Sequence, residues 1–340
     1  MKTAIIYGVT GQDGSYLSEL LLSKQYTVYG ITRRTSVPNT TRINHLLTQK
    51  QFHLTQGDVT DSGSIYRLLN EVQADEVYNL AAQSHVGTSF QQPSLTWDVT
   101  AQGCMNILEV IRSMGNRPRF YQASSSEMFG DQYSLDHNRE KYQDEDTKFN
   151  PQSPYGIAKL AAHHSVRLYR DSYGIFACGG ILFNHESERR GESFVTRKIS
   201  RYVASLYWAT QEGRSIPNLQ LGNLAAKRDW GHAKDYVKAM WLMLQQWEPR
   251  DFVVATGKTH SIEDYLKEAF QCININEYID YVEINNNLLR PSEVPYLRGF
   301  SRKAKKRLDW KPEISFTDLV NRMVQHDIQS FNGSKKESIG

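Results

Sequence analysis

The chain has 340 residues, 39% hydrophobic and 23% charged, with a formal net charge of +3 at pH 7. That length supplies one large core or two modest ones, and so slight a charge gives no footing for a nucleic-acid or anionic-membrane partner, although small anions remain compatible. Cys104, Cys178 and Cys272 lie far apart without metal-ligand spacing, as expected of reduced thiols in a cytoplasmic protein with no metal, and no apolar run approaches membrane-spanning length.

Residues 3–7, Thr-Ala-Ile-Ile-Tyr, read as a short buried strand. It runs into Gly8-Val9-Thr10-Gly11-Gln12-Asp13-Gly14, after which Leu17, Leu20 and Leu21 take helical spacing. In a strand, glycine turn and helix, the backbone can approach a pyrophosphate and seat it on the first amides of the helix. Three glycines in seven residues can also make an ordinary loop, but the flanking strand and helix are the context the motif requires. A second strand, residues 27–32, ends in Arg33-Arg34, where an NAD-binding chain would carry an acidic residue for the ribose 2′-hydroxyl. Two guanidiniums suit a 2′-phosphate, so NADP is the expected cofactor; a solvated basic turn is the alternative.

Residues 35–44 make a polar loop that is long for such a connection. A third strand, residues 52–56, leads into Gly57-Asp58-Val59, where Asp58 contacts an adenine amino group or caps a turn. Asp61 has the place of an N-cap for a helix with Ile65, Leu68, Leu69 and Val72 on one face. A fourth strand, residues 76–80, opens into Ala81-Ala82-Gln83-Ser84-His85-Val86, whose small residues let a ribose or phosphates pass close. An amphipathic helix is expected over residues 95–114, then a fifth strand over 119–123. Strands alternating with helices at this rhythm predict an α/β fold with a Rossmann-type doubly wound parallel sheet, whose ligands sit beyond the carboxyl ends of the strands.

The fifth strand runs into Ser124-Ser125-Ser126-Glu127. If the backbone stays extended, its period of two sets the Ser125 hydroxyl beside the Glu127 carboxylate. A polar insertion follows over residues 131–150, and Pro151-Gln152-Ser153-Pro154 marks the start of a helix. Four residues separate Tyr155 from Lys159, so the ammonium lies one helical turn from the phenol and is expected to pull its pKa down from about 10. A phenolate can take the proton of an alcohol whose carbon gives up a hydride.

These motifs together resemble the extended short-chain dehydrogenases/reductases, and within them the GDP-mannose 4,6-dehydratase family. Segments carrying the narrower resemblance include Asn184-His185-Glu186-Ser187, Arg189-Arg190-Gly191-Glu192, Lys227-Arg228-Asp229-Trp230-Gly231 and Arg290-Pro291-Ser292-Glu293-Val294. The resemblance implies that Tyr155 and Ser125 hold and activate the 4-hydroxyl of the sugar in GDP-mannose, and that Glu127 removes the C5 proton as water leaves from C6. It implies NADP contacts from Gly8, Thr10, Gly11, Gln12, Asp13 and Gly14, then from Arg33, Asp58 and Val59. Further cofactor contacts would come from Leu80, Ala81, Ala82, Gln83 and Ser84, and from Tyr155, Lys159, His185 and Arg190, with Lys159 on the nicotinamide ribose. Asn184, Val195, Lys198, Arg228, Arg290 and Glu293 would join Ser84, Ser125 and Glu127 in lining the sugar-nucleotide site. A homodimer or homotetramer is implied too, with loop 33–44 reaching a neighbour's cofactor. Ser126 before the glutamate sets the chain apart from dTDP-glucose dehydratases, which carry an aspartate there, while Leu95, Ala225 and Phe300 depart from the family pattern.

Residues 1–190 are thus expected to form the NADP-binding domain, rejoined by a segment at about 225–257. Residues 191–330 mainly build a smaller C-terminal α/β domain for the substrate, with a helix over 194–210 and a strand at 219–221. The stretch 304–323 would complete that domain. Residues 305–307, Lys-Lys-Arg, read as a solvated helix face, and 331–340 as a frayed tail.

Overall fold

The computed structural model describes residues 1–337, with side chains through Phe331. The expected strands form in order: β1 Thr3–Tyr7, β2 Thr27–Thr32, β3 Phe52–Gln56, β4 Glu76–Asn79 and β5 Arg119–Ser125. With Ala177–Leu182 and Phe252–Val254 they make a seven-stranded sheet, parallel throughout. Its order is Phe252–Val254, Ala177–Leu182, β5, β4, β1, β2, β3. The winding reverses between β1 and β4, which opens a crevice at their carboxyl ends.

The helices in chain order are α1 Gln12–Ser23, α2 Ser62–Val72, α3 Val86–Gln91, α4 Pro93–Trp97, α5 Gly103–Ser113 and α6 Pro154–Tyr173. They continue as α7 Val195–Gln211, α8 Ala233–Leu244, α9 Ile262–Gln271, α10 Arg302–Leu308 and α11 Phe316–Glu337. Strand alternation divides the core. Ala4, Ile6, Tyr78, Tyr121 and Cys178 pack with α1 and α8 on one face, and Ile5, Tyr7, Val77, Phe120 and Ala177 pack with α2, α5 and α6 on the other. A separate cluster joins α7, α9 and α11 around Trp230, Tyr265 and Phe270.

Three expectations change. The helix foreseen over 95–114 begins at Pro93, which suits a first helical position, and α4 and α5 are joined by a π-helical turn at Asp98–Gln102. The stretch 304–323 is shared out: Ala304, Leu308 and Trp310 join the α1 and α8 face of the main sheet, with Trp310 Nε1 donating to the Asp235 carbonyl at 2.7 Å, and only α11 completes the second cluster. Apolar spacing marks what is buried, not against which neighbour. In place of fraying at 331, α11 continues to Glu337, and residues 338–340 lie outside the described residues.

The insertion over 131–150 turns through a hairpin, Ser134–Leu135 with Lys141–Tyr142, and returns across the sheet edge. There Glu145 Oε1 accepts from the Val253 amide at 2.8 Å, occupying an edge-strand donor that would otherwise invite pairing with another chain.

Asp229, fully buried, ties two loops to the segment that carries Arg228. Its carboxylate accepts from the Thr256 amide and hydroxyl at 2.8 and 2.7 Å, and from the Gly257 and Gly299 amides at 2.9 and 3.2 Å. Burial pushes the carboxyl up to about 6 against these four donors. Asparagine would fill the same volume but aim an NH₂ at two backbone N–H groups. Asp229→Asn is therefore expected to cost about 2–4 kcal/mol, read as a fall of several degrees in Tm.

Candidate active site

One cleft of about 440 Å³ lies beyond the carboxyl ends of β1, β4 and β5. Gly8, Gly11, Gln12, Asp13 and Gly14 line one end. Gly8 has φ +80°, and a Cβ there would fall 2.9 Å from the Leu80 carbonyl carbon; a Cβ on Gly14 would stand 2.5 Å from the Gly8 oxygen. The turn is thus pressed against the 80–84 segment, of which Leu80, Ala82 and Ser84 line the opposite wall. Gly11 caps α1 without a side chain, which leaves the first amides of the helix for an anion. A glycine cradle opening on bare amides, walled by small residues, fits a dinucleotide.

The side chains of Gln12 and Asp13 turn across to the far wall. Gln12 Nε2 donates to the His185 carbonyl at 3.1 Å, and the Ser187 hydroxyl donates to Gln12 Oε1 at 2.7 Å. His185 Nε2 faces the Asp13 carboxylate at 2.7 Å and its Nδ1 faces the Phe183 carbonyl at 2.8 Å, so both ring nitrogens meet acceptors, an arrangement that favours the protonated ring. Burial works to lower the His185 pKa, but Asp13 and the Phe183 carbonyl outweigh it and raise the value above 6.5. Burial likewise works to raise Asp13, and His185 with Gln12 overcomes it, leaving Asp13 below 3.8. The His185 share of stability is full below 6.5 and is lost as pH rises through its raised folded value; the Asp13 share is full above 3.8 and is lost as pH falls through its lowered one. His185→Gln is therefore expected to lower Tm most in mildly acidic buffer and progressively less toward alkaline pH, as thermal melts across that range would record.

β5 stops at Ser125, and the extended backbone expected through Glu127 does not form. The Ser125 hydroxyl accepts from the Glu127 amide at 3.2 Å and caps a 3-10 turn at Ser126–Met128. A serine that offers the backbone a local bond competes with the sheet ladder. The turn, rather than a period of two, sets Ser125 and Glu127 together on the cleft. Opposite them α6 begins, its Ser153 cap accepting from the Gly156 amide at 3.0 Å, and delivers Tyr155 and Lys159 to the same wall.

The Tyr155 phenol is not lowered as expected. Burial pushes it up to about 12; the Ser125 hydrogen bond opposes this and the Glu127 charge adds to it. Lys159 Nζ stands 5.7 Å from the Tyr155 ring centroid and donates instead to the Ala123 carbonyl at 2.6 Å. Burial also lowers Lys159 itself to about 8, against the pull of Cys104 and Asp13. Spacing fixed the neighbours; desolvation fixed the sign.

Asn184, Val195, Lys198, Arg228, Arg290 and Glu293 line the other half of the cleft. Glu293 Oε1 accepts from Arg228 at 2.6 Å and from Arg290 at 3.3 Å, while Arg228 also donates to the Val294 carbonyl at 2.7 Å. Arg190 Nε lies 2.9 Å from the Glu186 carboxylate, its guanidinium 3.6 Å from the Phe194 ring centroid. Asp13 is paired with His185, Glu186 with Arg190 and Glu293 with Arg228. Among the described residues, Glu127 is the carboxylate lining the cleft that has no such side-chain partner.

Thr10, Arg33, Asp58, Val59, Ala81 and Gln83 do not line the cleft. Of the two readings left open for Asp58, the turn cap forms: Oδ1 accepts from the Thr60 amide and hydroxyl at 2.9 and 2.8 Å. Val59 is buried, its carbonyl accepting from Asn106, and Gln83 braces its own loop through the His85 amide and the Thr96 hydroxyl. Arg33 is exposed just after β2, outside the crevice between β1 and β4. At the end of the 33–44 loop, Arg42 folds back onto its own chain and donates to the Arg189 carbonyl at 2.7 Å. Leu95 and Ala225 are exposed, and Phe300 packs on Tyr142. Cleft-lining residues absent from the sequence reading include His85, Ser193, Phe194, Gln220 and Asn223. His85 stood in a strand-end segment read only for its small residues; Phe194 and Gln220 belong to a helix start and a strand that the sequence did mark, without a sign that they face the cleft, and Ser193 and Asn223 come from loops. No group of three His, Cys, Asp or Glu among the described residues is arranged to hold a metal ion.

A doubly wound sheet with a glycine cradle at its switch point and a Tyr-x-x-x-Lys helix on the same cleft defines an extended short-chain dehydrogenase/reductase fold. A solved dTDP-glucose 4,6-dehydratase from Streptomyces venezuelae shares that fold, at TM-score 0.82 and 20% identity over 97% of this chain and 98% of that one. The family model for GDP-mannose 4,6 dehydratase matches residues 5–323. The chain is 48% identical over 338 residues to GDP-mannose 4,6 dehydratase 2 of Arabidopsis thaliana, covering 96% of this chain and 87% of the relative. It is 47% identical over 352 residues to the human GDP-mannose 4,6 dehydratase, covering 96% and 92%. The chain belongs to the GDP-mannose 4,6-dehydratase family.

Proposed function

We propose that the protein is a hydro-lyase that converts GDP-mannose to GDP-4-dehydro-6-deoxy-mannose and water, using NADP that each turnover regenerates. The observation that carries this reading is the unpaired Glu127 carboxylate on the same cleft as Tyr155 and Ser125. Oxidising a sugar alcohol needs the phenol and its hydroxyl neighbour; eliminating water needs one more acid/base group that no other partner holds.

The β1–α1 cradle, Leu80, Ala82, Ser84, Lys159, His185 and Arg190 would hold the dinucleotide, and Arg33 its 2′-phosphate from the rim. When bound, NADP supplies the acceptor and later the donor of the hydride that moves from C4 to C6 of the hexose. Ser125 orients the 4-hydroxyl and Tyr155 takes its proton. The resulting 4-ketone acidifies C5, and Glu127 removes that proton and passes one to the departing 6-hydroxyl, so that water leaves; the product is complete once C6 has gained the hydride and C5 a proton, which balances the one taken from the 4-hydroxyl. Lys198, Arg228 and Arg290 set positive charge where the GDP diphosphate would lie, with Asn184, Val195 and Glu293 around the sugar and nucleoside. Residues 191–330 serve mainly this half, and the protein works as a cytoplasmic homo-oligomer; a fully active monomer by light scattering would end the last point.

Parallel incubation with GDP-mannose, GDP-glucose, dTDP-glucose and UDP-glucose tests the reading. The expected result is loss of one water by mass from GDP-mannose in preference to the others, without net consumption of NADP. A 4-keto product that keeps its 6-hydroxyl while reduced cofactor accumulates would make the protein a plain dehydrogenase.

A further inference from the structure

α6 meets the end of β5 through three side chains one turn apart, Tyr155, Lys159 and His163, all buried on one stripe of the helix. Each engages a different one of three consecutive strand residues. Lys159 Nζ donates to the Ala123 carbonyl at 2.6 Å, His163 Nδ1 lies 2.9 Å from the Ser124 hydroxyl, and Tyr155 shares the cleft wall with Ser125, whose hydroxyl works to lower the pKa of the phenol. The first and third grips belong to residues already given roles in the reaction. The second does not.

His163 is held where it cannot slide. It is 5% exposed, and a Cβ on Gly179 would come 2.6 Å from its Nδ1, so a residue without a side chain is what leaves room for the ring. Phe149 packs edge-on at 5.6 Å. The Asp251 carboxylate beside it is locked by Arg170 through paired hydrogen bonds of 2.9 and 2.8 Å. Burial holds the imidazole down to about 4, so the ring is neutral at working pH and offers Ser124 geometry rather than charge.

From this geometry we infer that His163 is a positioning residue for the oxidation of C4: by holding the Ser124 hydroxyl it fixes the last residues of β5, and with them the approach of the Ser125 hydroxyl to the Tyr155 phenol. The inference rests on the roles given above to Tyr155 and Ser125. A misplacement of under an ångström at a reacting pair is enough to slow a proton transfer without changing how tightly the substrate is held.

The test uses the full chain with GDP-mannose and NADP. His163→Phe keeps the ring packing on Phe149 but loses the bond, and is expected to lower kcat about tenfold while KM and the NADP dissociation constant stay within about twofold. His163→Asn can bond Ser124 again and is expected to recover most of the rate. Ser124→Ala removes the same bond from the other side with little change of volume, so it serves even where the phenylalanine variant does not fold. Its kcat should fall by a similar factor, and the double variant should lose no more than either single one. Wild-type kcat in Ser124→Ala, additive losses in the double variant, or losses of kcat that merely follow a falling Tm would overturn the inference. Wild-type protein that binds GDP-mannose and releases no dehydrated product would instead overturn the reading of the site on which it rests.

Discussion

Replacing Glu127 with glutamine is expected to abolish dehydration, lowering kcat by on the order of 10²–10⁴, while NADP binding and oxidation at C4 survive. Glutamine has nearly the same shape, and the bond that shapes the turn comes from the Glu127 backbone amide, which the change leaves in place. What disappears is the group able to take the C5 proton. The other acids on the cleft are committed: Asp13 to His185, Glu186 to Thr196 and Arg190, and Glu293 to Arg228. A substitute base would have to break an ion pair in a confined site. Rapid-quench mass spectrometry of Glu127→Gln should therefore find a 4-keto species that still carries its 6-hydroxyl. Water loss at the wild-type rate would remove Glu127 from the mechanism.

The parts legible in the sequence are those set by local rules. The β1–α1 turn is announced by glycines where a Cβ meets backbone at 2.5–2.9 Å, as Gly8 and Gly14 do. The start of α6 is announced by Ser153 followed by Pro154, and that of α2 by Asp61, whose carboxylate does accept from the Gly63 amide at 3.0 Å. The face of each strand follows from alternation. What was not legible depends on competition between local and distant groups. Period two at Ser125 and Glu127 lost to a serine cap on its own chain. Trp310 looked like part of the second cluster until α8 supplied a carbonyl for its ring nitrogen. His85 and Phe194, ring centroids 5.5 Å apart, face one another from segments over a hundred residues apart in the sequence, so no local pattern could pair them.

The same competition decides the acid–base behaviour. Helical spacing correctly brings Lys159 to Tyr155, yet spacing says nothing about water, and on this wall burial outweighs the cation. Burial therefore keeps Tyr155 protonated at neutral pH. The phenol can act as a base toward the sugar 4-hydroxyl only from its ionised fraction, which grows as pH rises.

That view makes Tyr155→Phe the second large effect. The change removes one oxygen from a wall that otherwise stays packed, so NADP binding and Tm should hardly move, while kcat should fall by on the order of 10³ or more. The pH profile separates this role from simple packing. A phenol raised to about 12 gains reactivity as pH increases, so wild-type kcat is expected to climb toward alkaline pH until Lys159, lowered to about 8, loses its charge and the rate turns over. In the phenylalanine variant the residual rate should lose the rising limb. A variant that kept it would need another base titrating in that range. Lys159 is the obvious candidate, because its neutral amine lies on the same wall one helical turn away; Lys159→Met would then abolish the rise that Tyr155→Phe had left intact.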